Sequence, residues 1–329
     1  MRVVITGGAG FLGTRLARAL LQRETLTDAQ GRAQRIDEIV LVDIVPATGV
    51  TDPRVRIVSG DLADPALIER AITPATSSVF HLAAVVSGQA EADFDFGMRV
   101  NLDATRLLLE RCRRCETPPK FVFTSSLAVF GGPLPDPVPD AAALWPQSSY
   151  GTQKAIGELL VYDMTRKGFV DGRCLRLPTV TVRPGKPNKA ASSFASGVVR
   201  EPLAGVVASV PVKPETRMWV ISPSTVVYNL ICGHEAPADR FAHTRSVNVP
   251  GISVAVSDMV GALERVAGSE VAARVRWEYD AAIDRIVSSW PAAFDTQFGE
   301  SLGMLADADF DSIVRAYSDE QRAAAPMVQ

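Results

Sequence analysis

A chain of 329 residues with a net charge of −3, 47% apolar and 22% charged, has the composition of an ordinary globular protein, long enough for one large domain or two smaller ones. The near-neutral charge, without a basic run or an aromatic-interleaved basic patch, excludes a surface built for nucleic acid. No apolar run reaches the ~18 residues of a membrane span, and four cysteines at irregular spacing make no disulfide framework.

Cys112 and Cys115 form a C-x-x-C, but inside the helical pattern LLLERCRRCE, and no second ligand pair follows that would complete a zinc site. Reduced thiols and no metal are the expectation. The chain opens on MRVVITGG with no leader pattern, so the expected compartment is cytoplasmic.

The first strand, RVVIT (2–6), runs into TGGAGFLG (6–13) and an amphipathic helix from about Gly10 to Gln22. Gly7 permits the tight turn, Gly10 lets the backbone approach a pyrophosphate, and Gly13 allows close helix–sheet packing. Phe11 and Leu12 open the helix, whose free N–H groups and positive dipole end face the phosphates. The polar segment RETLTDAQGRAQR reads as a surface insertion before the second strand, EIVLVD (38–43). Asp43 ends that strand, with Ile44 beside it. A carboxylate there accepts the hydroxyls of an adenosine ribose and repels a 2′-phosphate, which favours NAD over NADP.

The third strand, VRIVSGD (55–61), brings Asp61 and Leu62 to the adenine position and precedes the helix PALIERAI. The fourth, SVFHLAA (78–84), precedes a helix through RVNLDATRLLLERC. KFVFTSS (120–126) and GRCLRLPTV (172–180) are the fifth and sixth, with a Pro-rich loop and the helix SSYGTQKAIGE between them. Near-continuous apolar strands alternating with helices imply right-handed βαβ units and a doubly wound parallel sheet of Rossmann type. On the fourth helix Tyr150 and Lys154 stand at i and i+4 and share one face. A nearby ammonium stabilises a phenolate and lowers the tyrosine pKa from ~10 towards the range of a general base.

Beyond Leu177 the texture changes to short, mixed strands and helices interrupted by Pro, Gly and Ser. We divide the chain into a dinucleotide-binding domain at 1–176 and a second lobe at 177–329, with a return to the first domain around 219–253. The tail is mostly helical and ends in a frayed AAAPMVQ.

These motifs resemble the extended short-chain dehydrogenase/reductase family, the NAD-dependent epimerases and dehydratases. TGGAGFLG, GDL (60–62), HLAA (81–84), VNLDAT (100–105), TSSLAVFG (124–131) and YGTQK (150–154) stand in the family's order across the first half. The resemblance implies a Rossmann domain with bound NAD(H), a smaller mixed C-terminal lobe at 177–329 that binds substrate, Tyr150 as acid/base and Lys154 as its partner. Ser126 is implied as hydroxyl donor to the substrate, and Ser125 is close enough to share that role. Leu82, Ala83 and Ala84 would line the cofactor, Asn101 would support the site, and Pro178, Thr179 and Val180 would lie against the nicotinamide. Phe130 departs from the motif's usual tyrosine, at a place peripheral to the chemistry. His81 reads as packing beneath the cofactor. A homodimer through the helices near Asn101 and Tyr150 is also implied.

In the second half LRLPTVTVRPGKPNKAASSFASGVVREPLAG, RMWVISPSTVVYNL, VNVPGISVAVSDMVGAL and SSWPAAFD resemble a branch of the family, which implies oxidation of a four-carbon sugar acid at C2 to a 2-oxo acid and NADH. A sugar-acid substrate requires a cation, for which Arg183, Lys186, Lys189 and Arg217 are candidates. Ser87, Gln89, Ser192 and Ser193 are candidates for its hydroxyls. A nucleotide-sugar epimerase with retained NAD would use the same Ser, Tyr and Lys. A dehydratase would place acidic residues where Leu127 and Ala128 stand, and a non-catalytic dinucleotide-binding regulator would lack Tyr150 or Lys154.

Overall fold

Apolar runs bounded by turns become the strands β1 (Arg2–Thr6), β2 (Glu38–Asp43), β3 (Val55–Ser59), β4 (Thr76–His81), β5 (Lys120–Ser126) and β6 (Asp171–Leu177) in the computed structural model, which describes residues 1–185, 190–241 and 244–324. Lys186, Lys189 and the last five residues of the tail lie outside the described residues. The later strands are β7 (Thr179–Val180), β8 (Ala208–Val210), β9 (Arg217–Ile221), β10 (Ser246–Asn248), β11 (Ile252–Ala255) and β12 (Val275–Trp277).

β10-β6-β5-β4-β1-β2-β3 form a seven-stranded sheet in which every neighbouring pair is parallel. The order of the first six is that of a dinucleotide-binding sheet, reversing direction beside β1, where a crevice opens at the carboxyl ends of the strands. Val3, Val4, Ile5, Ile39, Val40, Phe80, Phe121 and Phe123 are fully buried because helices cover both faces. The expected sixth strand, 172–180, is broken at Pro178, which has no N–H for the ladder; Thr179–Val180 pair instead with β9.

The helices flanking the sheet are α1 (Phe11–Arg23), α2 (Pro65–Ala71), α3 (Ala104–Cys112) and α4 (Ser149–Arg166). Those of the second half are α5 (Ser193–Leu203), α6 (Pro223–Glu235), α7 (Val256–Ala267), α8 (Ala281–Ser288) and α9 (Phe310–Ala324). α1 turns Leu16, Ala17 and Leu20 onto the sheet at helical spacing, each burial contributing roughly 1.5–3 kcal/mol for a side chain of leucine size. α3 is entered through a π-helical stretch, Met98–Asp103, where the sequence pattern predicts regular helix.

A second core lies under β9 and α5 and includes Val198, Val199, Met218, Met259, Leu263, Ile313 and Val314. Within 219–253, α6 packs Val226 and Leu230 into the core that includes Val3 and Ile5, and β10 pairs with β6. β9 itself belongs to the separate sheet β11-β9-β7.

The segment after α1 is not merely surface polar. Thr25–Thr27 and Ala33–Arg35 make an antiparallel hairpin that buries Leu26, with Ile36 just beyond it, in the first core. Lys120 Nζ donates to Thr27 Oγ1 at 2.6 Å and to the His234 carbonyl at 2.9 Å, and Glu235 accepts from the Thr27 N–H at 3.0 Å. The hairpin is thereby fastened at the amino-terminal end of β5, the end of the sheet opposite the crevice.

Candidate active site

A cleft of about 1800 Å³ opens along the carboxyl ends of the strands and continues between the two cores. Its floor is the turn after β1. Gly7 has φ +69°, in the left-handed region, and a Cβ there would stand 2.9 Å from the Ala83 nitrogen. A Cβ on Gly13 would stand 2.1 Å from the Gly7 carbonyl oxygen, so only glycine lets α1 begin so close to the turn. With Phe11 and Leu12 at the mouth of α1, this is a cradle for a pyrophosphate, and a dinucleotide fits it. Asp43 keeps its carboxylate at the cleft by accepting the Ala9 N–H at 3.0 Å and the Ile44 N–H at 2.8 Å. Asp61 is paired with Arg99, a cleft-lining cation absent from the sequence expectation.

Ile44, Leu62, Leu82, Ala83, Ala84, Pro178, Thr179 and Val180 line the same cleft, as do Ser87, Arg183, Ser192, Ser193 and Arg217 from the substrate side. Asn101 and Gln89 are not among the lining residues. Asn101 is buried behind the wall, where its side chain brackets both backbone groups of Val85 at 2.7 and 3.1 Å and donates to Gln153 Oε1 at 2.7 Å. His81 is a packing residue, its ring nitrogens bonded to Thr6 Oγ1 at 2.7 Å and Thr105 Oγ1 at 2.8 Å. Burial lowers its pKa to about 3, so the ring stays neutral.

Ser148 caps α4 by accepting the Gly151 N–H at 3.1 Å, which sets where the helix starts and so which way Tyr150 points. Tyr150 and Lys154 both reach the cleft. Ser126 Oγ accepts the Ala128 N–H at 3.2 Å and acts on Tyr150, lowering its pKa against burial, while the adjacent Ser125 Oγ donates to Glu158 Oε1 at 2.5 Å, beneath the wall. Successive residues of a strand face opposite ways. Ser126 is therefore the serine placed against Tyr150, and the Ser125 hydroxyl is committed to the interior.

Lys154 is buried, with Nζ donating to the Thr124 carbonyl at 2.8 Å and lying 4.7 Å from the Phe123 ring centre and 5.8 Å from that of Tyr150. Burial lowers its pKa to about 8, opposed by Cys174 and Glu158. The Cys174 thiol is itself pushed well up by burial and stays neutral, leaving the Glu158 carboxylate as the opposing charge.

Tyr150 differs from the sequence expectation. Burial raises its pKa, and the cation that opposes this is Arg183, with the Ser126 hydroxyl second. Lys154 does not fill that place, because its ammonium is turned to the Thr124 carbonyl and the face of Phe123. The Arg183 guanidinium has no carboxylate or hydrogen-bond acceptor among the described residues. Its backbone is fixed instead: the N–H donates to Ser196 Oγ at 3.0 Å and the carbonyl accepts from Arg200 at 2.8 Å. Arg217 is exposed and bound to Ser253, through Nε to Oγ at 3.1 Å and NH2 to the carbonyl at 3.0 Å.

Among the described residues no group of His, Cys, Asp and Glu could hold a metal ion, and no helix is long and apolar enough to cross a membrane. The model of the NAD dependent epimerase/dehydratase family matches residues 3–219. D-erythronate dehydrogenase of Cupriavidus necator is 58% identical over 320 residues, 97% of this chain and 98% of that protein. D-erythronate dehydrogenase of Haemophilus influenzae is 45% identical over 318 residues, 96% and 98% of the two chains. The crystal structure of a nucleoside-diphosphate-sugar epimerase from Agrobacterium tumefaciens superposes with a TM-score of 0.91 at 38% identity, covering 99% of this chain and 95% of that one.

Proposed function

The chain belongs to the NAD dependent epimerase/dehydratase family, and from that premise we propose that it oxidises D-erythronate at C2 to 2-oxotetronate. NAD, when bound in the cradle, supplies the hydride acceptor. Tyr150 as phenolate takes the proton of the C2 hydroxyl while that carbon gives up its hydride, so one alcohol becomes one ketone. Ser126 holds the reacting oxygen beside Tyr150, and Lys154 contributes positive charge and a donor at the ribose. Asp43 favours NAD over NADP.

The observation that carries the substrate class is Arg183: a partly buried cation facing Tyr150, with no partner among the described residues. A sugar-acid carboxylate gripped there through two hydrogen bonds sets the neighbouring C2 against the phenol. The two relatives named for D-erythronate support the identity of the acid. The four free cysteines fit a reducing compartment such as the cytoplasm. Leu159 and Tyr162, exposed on α4, support a homodimer.

The test is to mix the protein with NAD and a panel of four- and five-carbon sugar acids, following NADH absorbance, beside a panel of UDP- and GDP-sugars analysed for isomerisation. D-erythronate should give the fastest NADH formation, and Tyr150→Phe should lower kcat at least ~100-fold. Epimerised nucleotide sugar with no NADH from any acid would overturn the reading.

A further inference from the structure

Tyr150, Lys154 and Glu158 follow one another at i, i+4 and i+8 and share one face of α4. Each has its own residue at the end of β5: Lys154 donates to the Thr124 carbonyl at 2.8 Å, Glu158 accepts from the Ser125 hydroxyl at 2.5 Å, and Tyr150 is acted on by Ser126. Glu158 is buried like Lys154 and is the most heavily bound of the three. Its carboxylate takes Arg176 Nε at 2.9 Å and NH2 at 2.8 Å from β6, and Ser246 Oγ at 2.7 Å from β10. Arg176 continues the network to the Asp140 carbonyl at 2.9 Å and Asn248 Oδ1 at 3.3 Å. One side chain thus joins the helix bearing the acid/base to three adjacent strands.

We propose that Glu158 is a positioning residue for the oxidation, fixing the register of Tyr150 against Ser126 and holding Lys154 in its ammonium form. The proposal rests on the Tyr150/Lys154 reading above. The first role follows from the shared face: sliding α4 along β5 would break all three contacts together. The second follows from the charges around Lys154. On α4 these are Tyr150 and Glu158; on β4, the neutral His81; on β6, the neutral Cys174 and the cation Arg176. Asp140, from the loop before α4, faces Glu158 and Arg176 rather than the lysine, and burial raises its pKa to about 6. Glu158 is the carboxylate whose charge acts on Lys154, whether or not Tyr150 is ionised. A buried ammonium without a counter-charge releases its proton at lower pH. Loss of the Glu158 charge therefore moves the alkaline limb of the rate profile down, by the sign opposite to that of losing a cation.

The experiment is the pH dependence of kcat/KM for NADH formation in wild type, Glu158→Gln, Glu158→Asp and Ser125→Ala, with NAD binding followed separately by fluorescence. Glu158→Gln should lower kcat about tenfold or more, with less than threefold change in NAD affinity, and displace the alkaline limb downward by about half a pH unit or more. Glu158→Asp, which keeps the charge, should return that limb to its wild-type position. Ser125→Ala, which removes one contact and no charge, should lower kcat and leave the limb in place. A Glu158→Gln profile superimposed on wild type, or an aspartate variant displaced as far as the glutamine, overturns the proposal. If the glutamine variant does not fold, a shifted limb in Ser125→Ala or in Glu158→Asp overturns it. Tyr150→Phe keeps the two readings apart: retained activity there refutes the chemistry itself, whereas an inactive Tyr150→Phe with an unmoved Glu158→Gln profile refutes only the role of Glu158.

Discussion

Arg183 makes the sharpest demand at the scale of single residues. As the carboxylate anchor, its replacement by methionine should raise KM for the acid by about tenfold to 200-fold, the loss of ~1.5–3 kcal/mol from a charge-assisted hydrogen bond. A neutral side chain also removes the cation opposing the upward shift of Tyr150, so the acid limb of kcat should move to higher pH. Steady-state kinetics of Arg183→Met and Arg217→Met over a pH series check both. Equal effects from the two variants would count against the assignment, since Arg217 is exposed and tied to Ser253. Tyr150 and Lys154 were legible because helical spacing alone puts i and i+4 on one face. Ser125 and Ser126 both line the cleft, but which hydroxyl is left for Tyr150 depends on the pleat of β5 at its last residue, and which of four cations meets Tyr150 depends on loop geometry. Neither is written in local sequence. Glu158 continued the pattern one turn beyond Lys154, a signal that was present and passed over.

At the scale of elements, the six parallel strands were readable because strands covered on both faces must be apolar along their whole length. The π-helical entry to α3 and the hairpin after α1 were not, since each is held by distant partners, Asn101 by Val85 and Gln153, Thr27 by Lys120 and Glu235. His81 ties β4 to β1 and α3 through two threonines, and His234 ties α6 to β4 through Ser78 Oγ at 2.8 Å. Burial lowers the pKa of His81 to about 3 and of His234 to about 4, both from 6.5. Their depressed values mean that the unfolded chain binds these protons first. The stability they give is fully present above pH ~6.5 and is lost as the pH falls through about 4 and then about 3. Thermal melts from pH 7.5 to 4.5 should show Tm falling steadily below 6.5, less steeply in His81→Gln. A flat Tm across that window would contradict the two ties.

For the whole molecule, two cores meet along one cleft, so the chemistry depends on surfaces contributed by both. The sequence reading put a boundary near Leu177 and a return to the first domain around 219–253, but it could not say which sheet β9 joins, because a strand's partners are chosen by tertiary packing. α4 serves both sides of the fold. Leu159 stands nine positions after Tyr150, half a turn round the helix, and is 63% exposed, with Tyr162 beside it at 47%. Pairing of two such faces would leave both clefts open. Leu159→Glu should convert a dimer to a monomer in sedimentation equilibrium; a wild-type protein that sediments as a monomer would remove the basis for pairing.

The hairpin fastened by Lys120 and Glu235 has a use of its own. Its tip, Gln30–Gly31, points to solvent from the end of the sheet away from the crevice, and Gly31 already takes φ +75° in an open turn. A tether or fluorophore grafted there would hold the enzyme on an electrode or bead with its mouth turned outward to the solution.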